Sequence, residues 1–491
     1  MRRLILVGLL AFAVALTGTA YAEVQNIKVS GDIDMKAVTH NNYDLKAFQK
    51  NRSPGGGGGM SDSDDSNDDN ENFTLSTVHV SVAADLTDNV SASVRLLNQR
   101  KWDSHAAGID QISLDNAYVT LKEFLYSPLT VIAGRQNLNY GNGFVVGDGS
   151  LLADPDAVFS TSGVGGEYSA YNAFDAVRAI LDFAPVTVEG VWAKVNETNV
   201  AADDESLYGA VVNYKLDRWS AEVEPYWFYK DIDGAGRAGT TITVNGATSN
   251  GGARAYEVSK THTVGVRLAA SPIENLKWSG ELAHQLGYLR DTNALGAGGQ
   301  KRNRSAWGAS VYANYTWAKV PWTPATGVGW DYYSGEQARG TKEAADGTDR
   351  KDVFNAWDPV YRGYHTAYIQ DFFSGADAPA NLYTTIDAND TGAGTNRHLI
   401  YGDVLLSPMK DVKLWARYTH VRFDKAPRPG RSHHAGDEVD AKVTYDYTDD
   451  VQLALFGGWF VPGRYYDEPA ATFNRGDTTA WTGGGTATVK F

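Results

Sequence analysis

Cysteine is absent from this sequence. That excludes disulfide frameworks, thiolate metal sites and thiol nucleophiles. Proline is scarce at 15 residues, and methionine scarcer at 4. Beyond residue 22 no stretch approaches the roughly 20 consecutive apolar residues of a membrane helix, so a helical membrane protein is excluded. A mean hydropathy of −0.35 says nothing against a membrane barrel. Positive charge is in deficit, 44 Lys and Arg against 59 Asp and Glu, which excludes a nucleic-acid partner on electrostatic grounds. There is no G-x-S-x-G elbow and no H-E-x-x-H. An enzyme is not expected, and no cofactor is implied; a barrel hydrolase with Ser and His on the outward wall is the one enzymatic alternative weighed.

Aromatic residues and glycine fill the gap, with 27 Tyr, 13 Trp and 51 Gly. Many strands with aromatic girdles fit this composition. The first 22 residues, "MRRLILVGLLAFAVALTGTAYA", place Arg2 and Arg3 before an apolar run and an A-x-A site. They predict a secretory signal over 1–22, leaving a single barrel domain over 23–491.

The dominant pattern has period two. Trp307, Ala309, Val311, Ala313, Tyr315 and Trp317 share one face, opposite Gly308, Ser310, Tyr312, Asn314 and Thr316. Val78, Val80, Val82 and Ala84 repeat the pattern, as do Val439, Ala441, Val443 and Tyr445. About eighteen such segments follow one another, many long enough to cross a bilayer as tilted strands. Their connections alternate strictly between short ones, such as "TDN" at 87 and "DD" at 449, and long ones, the longest over 42–72, 137–173 and 338–394. This predicts an all-β fold, a transmembrane antiparallel barrel with short periplasmic turns and long extracellular loops in the outer membrane of a Gram-negative bacterium. Soluble sandwich domains would show shorter strands and linkers.

The chain closes on "TGGGTATVKF", with Trp481, Gly483, Gly485, Ala487, Val489 and Phe491 on one face. The last strand of a barrel must pair with the first, because no edge may face lipid. A terminal Phe after alternating residues also resembles the signal read by the barrel assembly machinery, which makes that machinery an expected partner through Phe491, alongside outer-membrane lipid.

One segment is more distinctive. A strand ends in Gly134-Arg135-Gln136, runs into Tyr140-Gly141, and the chain returns as Phe174-Asp175-Ala176-Val177-Arg178. These motifs resemble the alginate-export porin family, whose barrel also has eighteen strands. The resemblance implies an outer-membrane channel whose founding members pass an anionic polysaccharide, with Arg135 and Arg178 at the positions of lumen-lining or loop-bracing arginines. The founding exporters carry a strongly basic constriction. Here the inward face is mixed: Arg95, Arg267, Arg417 and Lys122 join the two arginines, against Glu222, Glu281 and Asp403. Such a set either braces the wall or filters ions.

Loops 137–173 and 338–394 are the plug candidates, the second bearing Trp357, Tyr361 and Tyr364. Packed aromatics of this kind suit sugar faces. The acidic run at Asp62, Asp64 and Asp65 is a weak calcium candidate, but the spacing does not fit an EF-hand, and a solvated, self-repelling loop accounts for it. The expected role is therefore a porin-type channel for passive passage of small hydrophilic, anionic or saccharide solutes. The alternatives are the barrel sheath of a multiprotein export or electron-transfer conduit, or a surface receptor. The alternation places loop 53–72 outside the cell. A tag inserted there should be labelled on intact cells, and labelling only after the outer membrane is broken would invert the topology.

Overall fold

The computed structural model describes residues 26–42, 70–102, 112–148, 170, 172–196, 205–232, 243–244, 247–248, 259–291, 300–336, 353–363, 366–371, 394–426, 432–467 and 479–491. The export signal expected over 1–22 lies outside these residues, as do Asp62, Asp64, Asp65 and Tyr364.

Eighteen long strands form one closed antiparallel sheet. They are β1 (Asn26–Asn41), β2 (Asn70–Thr87), β3 (Val90–Lys101), β4 (Ser113–Leu121), β5 (Leu129–Gln136) and β6 (Phe174–Phe183). Next come β7 (Val186–Asn196), β8 (Glu205–Leu216), β9 (Ala221–Ile232), β10 (Ser259–Ala270), β11 (Leu276–Asp291) and β12 (Gln300–Thr316). The circuit ends with β13 (Ala325–Tyr333), β14 (Arg397–Met409), β15 (Val412–Phe423), β16 (His434–Asp446), β17 (Val451–Pro462) and β18 (Ala480–Lys490). Each strand pairs with its neighbours in sequence, and β1 pairs with β18 from Asp32↔Lys490 to Asn41↔Trp481. Short turns gather at the end where β2 meets β3, and the long connections at the other. Within the long loops lie a small hairpin, Thr243–Val244 with Ala247–Thr248, and a two-residue strand, Val353–Phe354, that runs parallel to the start of β12.

Register converts the period-two pattern into two faces. Val82 pairs with Val29 of β1 and Val94 of β3, and all three are exposed. Their ring of exposed neighbours includes Val119, Val177, Trp192, Tyr208, Trp227, Leu282, Trp307, Val328, Ile400, Val443 and Leu455. An apolar band this continuous suits hydrocarbon and not water. The residues between them, such as Asp34, Thr77, Glu224, Arg267, Asp331 and Asp440, point into the barrel.

The seam extends beyond β18. The Gly31 amide donates to the Phe491 carbonyl at 2.9 Å, and the Phe491 amide returns a bond to Gly31 at 3.0 Å. A side chain at Gly31 would meet the Phe491 ring at 2.6 Å and the His79 carbonyl at 2.5 Å, so the aromatic ring occupies the room that glycine leaves. Each of the two hydrogen bonds is worth about 1 kcal/mol. Deleting Phe491 should therefore lower the amount of folded, heat-modifiable barrel recovered from outer membranes, while an undiminished yield would show that the seam closes without it.

Candidate functional site

Two loop segments leave the rim and pack inside the barrel. The first follows β5, where Leu138, Phe144 and Val146 are completely buried against inward residues of β6 to β13, among them Phe174, Ala193, Leu207, Phe228 and Tyr333. The second, over 353–363 and 366–371 between β13 and β14, adds Trp357, Val360 and Tyr361 to the same cluster. Phe144 stacks on Tyr333 at 5.4 Å between centroids and meets Trp357 at 5.7 Å. The segments are also joined through their backbones. The Gly147 amide donates to the Tyr361 carbonyl at 3.0 Å, Tyr361 donates to Val145 at 2.9 Å, and Gly363 donates to Gly143 at 2.7 Å. At this crossing a Cβ on Gly363 would lie 2.3 Å from the Gly147 Cα, and only glycine permits the approach.

Charged side chains on the wall hold the first segment. Arg178 grips Glu189 through Nε and Nη2, at 2.6 and 2.9 Å, and the Tyr140 hydroxyl donates to the same carboxylate at 2.6 Å. Arg267 donates to Asn142 at 3.0 Å and to Glu222 at 3.0 Å. Arg95 pairs with Asp115 and reaches Asn137 at 3.0 Å. Glu281 accepts from the Tyr226 hydroxyl at 2.6 Å.

A denser clamp holds the second segment. Buried Asp358 lies 3.3 Å from Lys230 and 3.8 Å from Arg304, and its backbone exchanges two hydrogen bonds with the Gln285 amide, at 2.7 and 2.8 Å. Burial alone would raise the Asp358 pKa; Lys230 and Arg304 overcome that and hold its carboxyl below the usual carboxylate range. Further along, Glu438 accepts the amides of Ile369 and Gln370 at 2.6 and 2.8 Å, and Thr366 donates to Asp331 at 2.8 Å. Arg417 donates to the Thr366 carbonyl at 3.1 Å and pairs with Asp403 at 2.7 Å.

The structure thus places Arg95, Arg178, Arg267, Arg417, Glu222, Glu281 and Asp403 on the inner wall. Two expected pore residues lie elsewhere. Arg135 pairs in register with Ala117 and Asp175, on the same face as exposed Val119 and Val177. It therefore points outward, where it meets the exposed Asp175 carboxylate at 3.4 Å. The alternation of the strand, which turns Gln136 inward, forbids Arg135 the same direction. Lys122 lies past the end of β4, exposed in the turn to β5. Trp357 and Tyr361 are buried within the plug rather than displayed to the lumen. The residues that reasoning from sequence missed are Asp358, Lys230, Arg304 and Glu438. Counting by twos from their strand neighbours would have put the last three inside.

A wall apolar without and charged within, closed on itself and gripping its own loops, is that of an outer-membrane porin-type channel for small solutes, embedded in the Gram-negative outer membrane. The sequence model of the Alginate export family matches residues 61–371, and the chain belongs to that family. Among curated proteins none matches the sequence. Among solved structures, the outer membrane protein OpdK of Pseudomonas aeruginosa superposes with a TM-score of 0.51 at 8% identity, over 95% of this chain and 99% of that one. Pseudomonas aeruginosa OccK8 (OprE) gives 0.50 at 10% identity, over 95% and 98%. At such identities the likeness is one of fold.

Replacing Asp358 with Ala would take one carboxylate from between buried Lys230 and Arg304, leaving Lys230 with Glu205 at 3.9 Å, at a cost of up to about 3 kcal/mol. The second segment should loosen, and single-channel records should become noisier, with more frequent changes of conductance level. Because the folded-state pKa of Asp358 is depressed, its contribution is complete above the ordinary carboxylate value of about 3.9 and is lost as pH falls through the lower folded value. Wild-type records should thus stay unchanged from neutrality to about pH 5 as far as this group is concerned. A quiet Asp358→Ala channel would show that the clamp is dispensable.

Proposed function

We propose that the barrel passes small hydrophilic solutes bearing carboxylates, sugar acids among them, by passive diffusion past the two inward segments. The observation that carries this reading is the cluster on the inner wall around Arg417. Its guanidinium lies 4.5 Å from the centre of the Tyr401 ring and 5.3 Å from that of Trp415. Tyr312 stacks on Tyr401 at 6.0 Å, and Tyr368 of the second segment lies 6.0 Å from Trp415. Ring faces favour the apolar faces of sugars, while a planar guanidinium favours carboxylates. The lumen is occupied by the chain's own loops, which favours a channel over a sheath built to receive a partner. In the same reading, residues 1–22 direct export, and Phe491 is the feature by which the assembly machinery takes the last strand.

Every inward arginine named above already has a carboxylate partner, so no single one dominates the field. In a wet lumen one such pair is worth about 1 kcal/mol or less. The purified protein in a planar bilayer should show discrete conductance, and Arg417→Gln or Arg178→Gln should shift its reversal potential modestly toward cations. Arg135→Gln, on the outer face, should leave the potential unchanged. A protein without conductance would sink the channel reading; equal potentials for folded wild type, Arg417→Gln and Arg178→Gln would reduce those arginines to struts.

A further inference from the structure

On the outward face of β15 and β16, near the end that carries the long loops, three side chains converge that the channel does not use. His420 Nδ1 lies 2.8 Å from one Asp437 oxygen, and His434 Nε2 lies 3.1 Å from the other. The two imidazoles are nearly parallel with centroids 5.2 Å apart. One donor atom from each of the three residues fits within 4.8 Å of the others, and among the described residues no other group of three or more His, Asp and Glu does so. All three are partly exposed, at 36%, 39% and 31%.

The backbone explains the convergence. His420 pairs with Asp437, so both point outward by ordinary alternation. His434 has the parity of inward Glu438 and Asp440 and should face the lumen. Between Val421 and Arg422 the register shifts, so that Val421 pairs with Gly436 and Arg422 with His434. Ala435 is absorbed in the bulge and buried against Val421 and Phe423, and His434 is turned outward beside His420. Gly436 makes this possible: its φ is +149°, and a Cβ there would lie 2.5 Å from the Val461 carbonyl. Bulges of this kind redirect side chains. The neighbouring His433 takes no part, since its ring nitrogen bonds the Phe423 carbonyl at 3.0 Å.

We propose that His420, His434 and Asp437 form an outer-rim site for one divalent transition-metal ion of the zinc, copper and nickel group. Two imidazoles and one carboxylate suit these borderline ions, with water completing a tetrahedron. Calcium and magnesium require mainly oxygen ligands, and the site offers one carboxylate. The Tyr418 hydroxyl donates to Asp437 at 2.6 Å and orients the carboxylate, as outer partners of metal ligands commonly do. Exposed Arg422, next to His434 in the ladder, opposes a second positive charge and limits affinity. A bound ion would tie β15 to β16 where the bulge interrupts their ladder.

The test uses the folded, untagged full barrel in detergent and zinc as the probe. Calorimetry should show one zinc ion per chain, undiminished by excess calcium. His420→Ala/His434→Ala should weaken binding at least about a hundred-fold, since even outer-shell changes cost 10–100-fold. Zinc should raise the unfolding temperature of the wild type and not of the double variant, and both should keep the same conductance without zinc. Equal zinc uptake by wild type and double variant would assign the ion elsewhere and overturn the site. So would no uptake by the wild type at millimolar zinc.

Discussion

Hydrocarbon offers no water to pair a stray amide or carbonyl, and each one left bare in the membrane costs several kcal/mol. An open sheet edge in lipid would carry that cost once per residue. Closure of β18 on β1 is what removes the edge, and the other features presuppose it. Only a closed wall has an inside whose charges are shielded from lipid, and only a closed wall can grip a loop from several sides. The apolar outer band and the charged inner face are two consequences of one alternation, read from opposite sides of the same strands.

Inside that wall the chain spends its charge on holding itself. Arg178 with Glu189, Arg267 with Glu222, and Arg417 with Asp403 are paired across neighbouring strands, and each group then touches an inward loop or the ring beside it. Asp358 and Glu438 reverse the roles, for there the loop supplies either the acid or the amides and the wall supplies the partner. Burial makes such pairs poor sources of net stability but strong determinants of geometry, because a mispaired charge is costly. Bracing is what these contacts accomplish: the charged groups of the inner wall are the groups that fix the loops.

Much of the barrel was legible because strands of period two write their faces into the sequence. Val78 to Ala84 and Trp307 to Tyr315 need no tertiary knowledge to be sorted. The same arithmetic places Arg135, two residues from Ala133 and four from Val131, on the lipid-facing side; assigning it to the lumen followed a motif and neglected parity. Lys122 was misplaced for a different reason, since strand ends are set by the turn and not by the pattern. Asp358 was illegible altogether. A loop has no period, and its partners Lys230 and Gln285 are 128 and 73 residues away. The outward turn of His434 was equally hidden, because one extra residue at a bulge reverses the parity of everything beyond it.

The crossing of Gly147 over Gly363 has a meaning for anyone who would use the barrel as a nanopore. There the two inward segments touch through bare backbone, with no charge and no hydrogen-bonding side chain on either glycine. A methyl group there is the smallest available spacer between the two inward segments. Loosening the contact between the two segments in this way needs no change to any charged group on the wall.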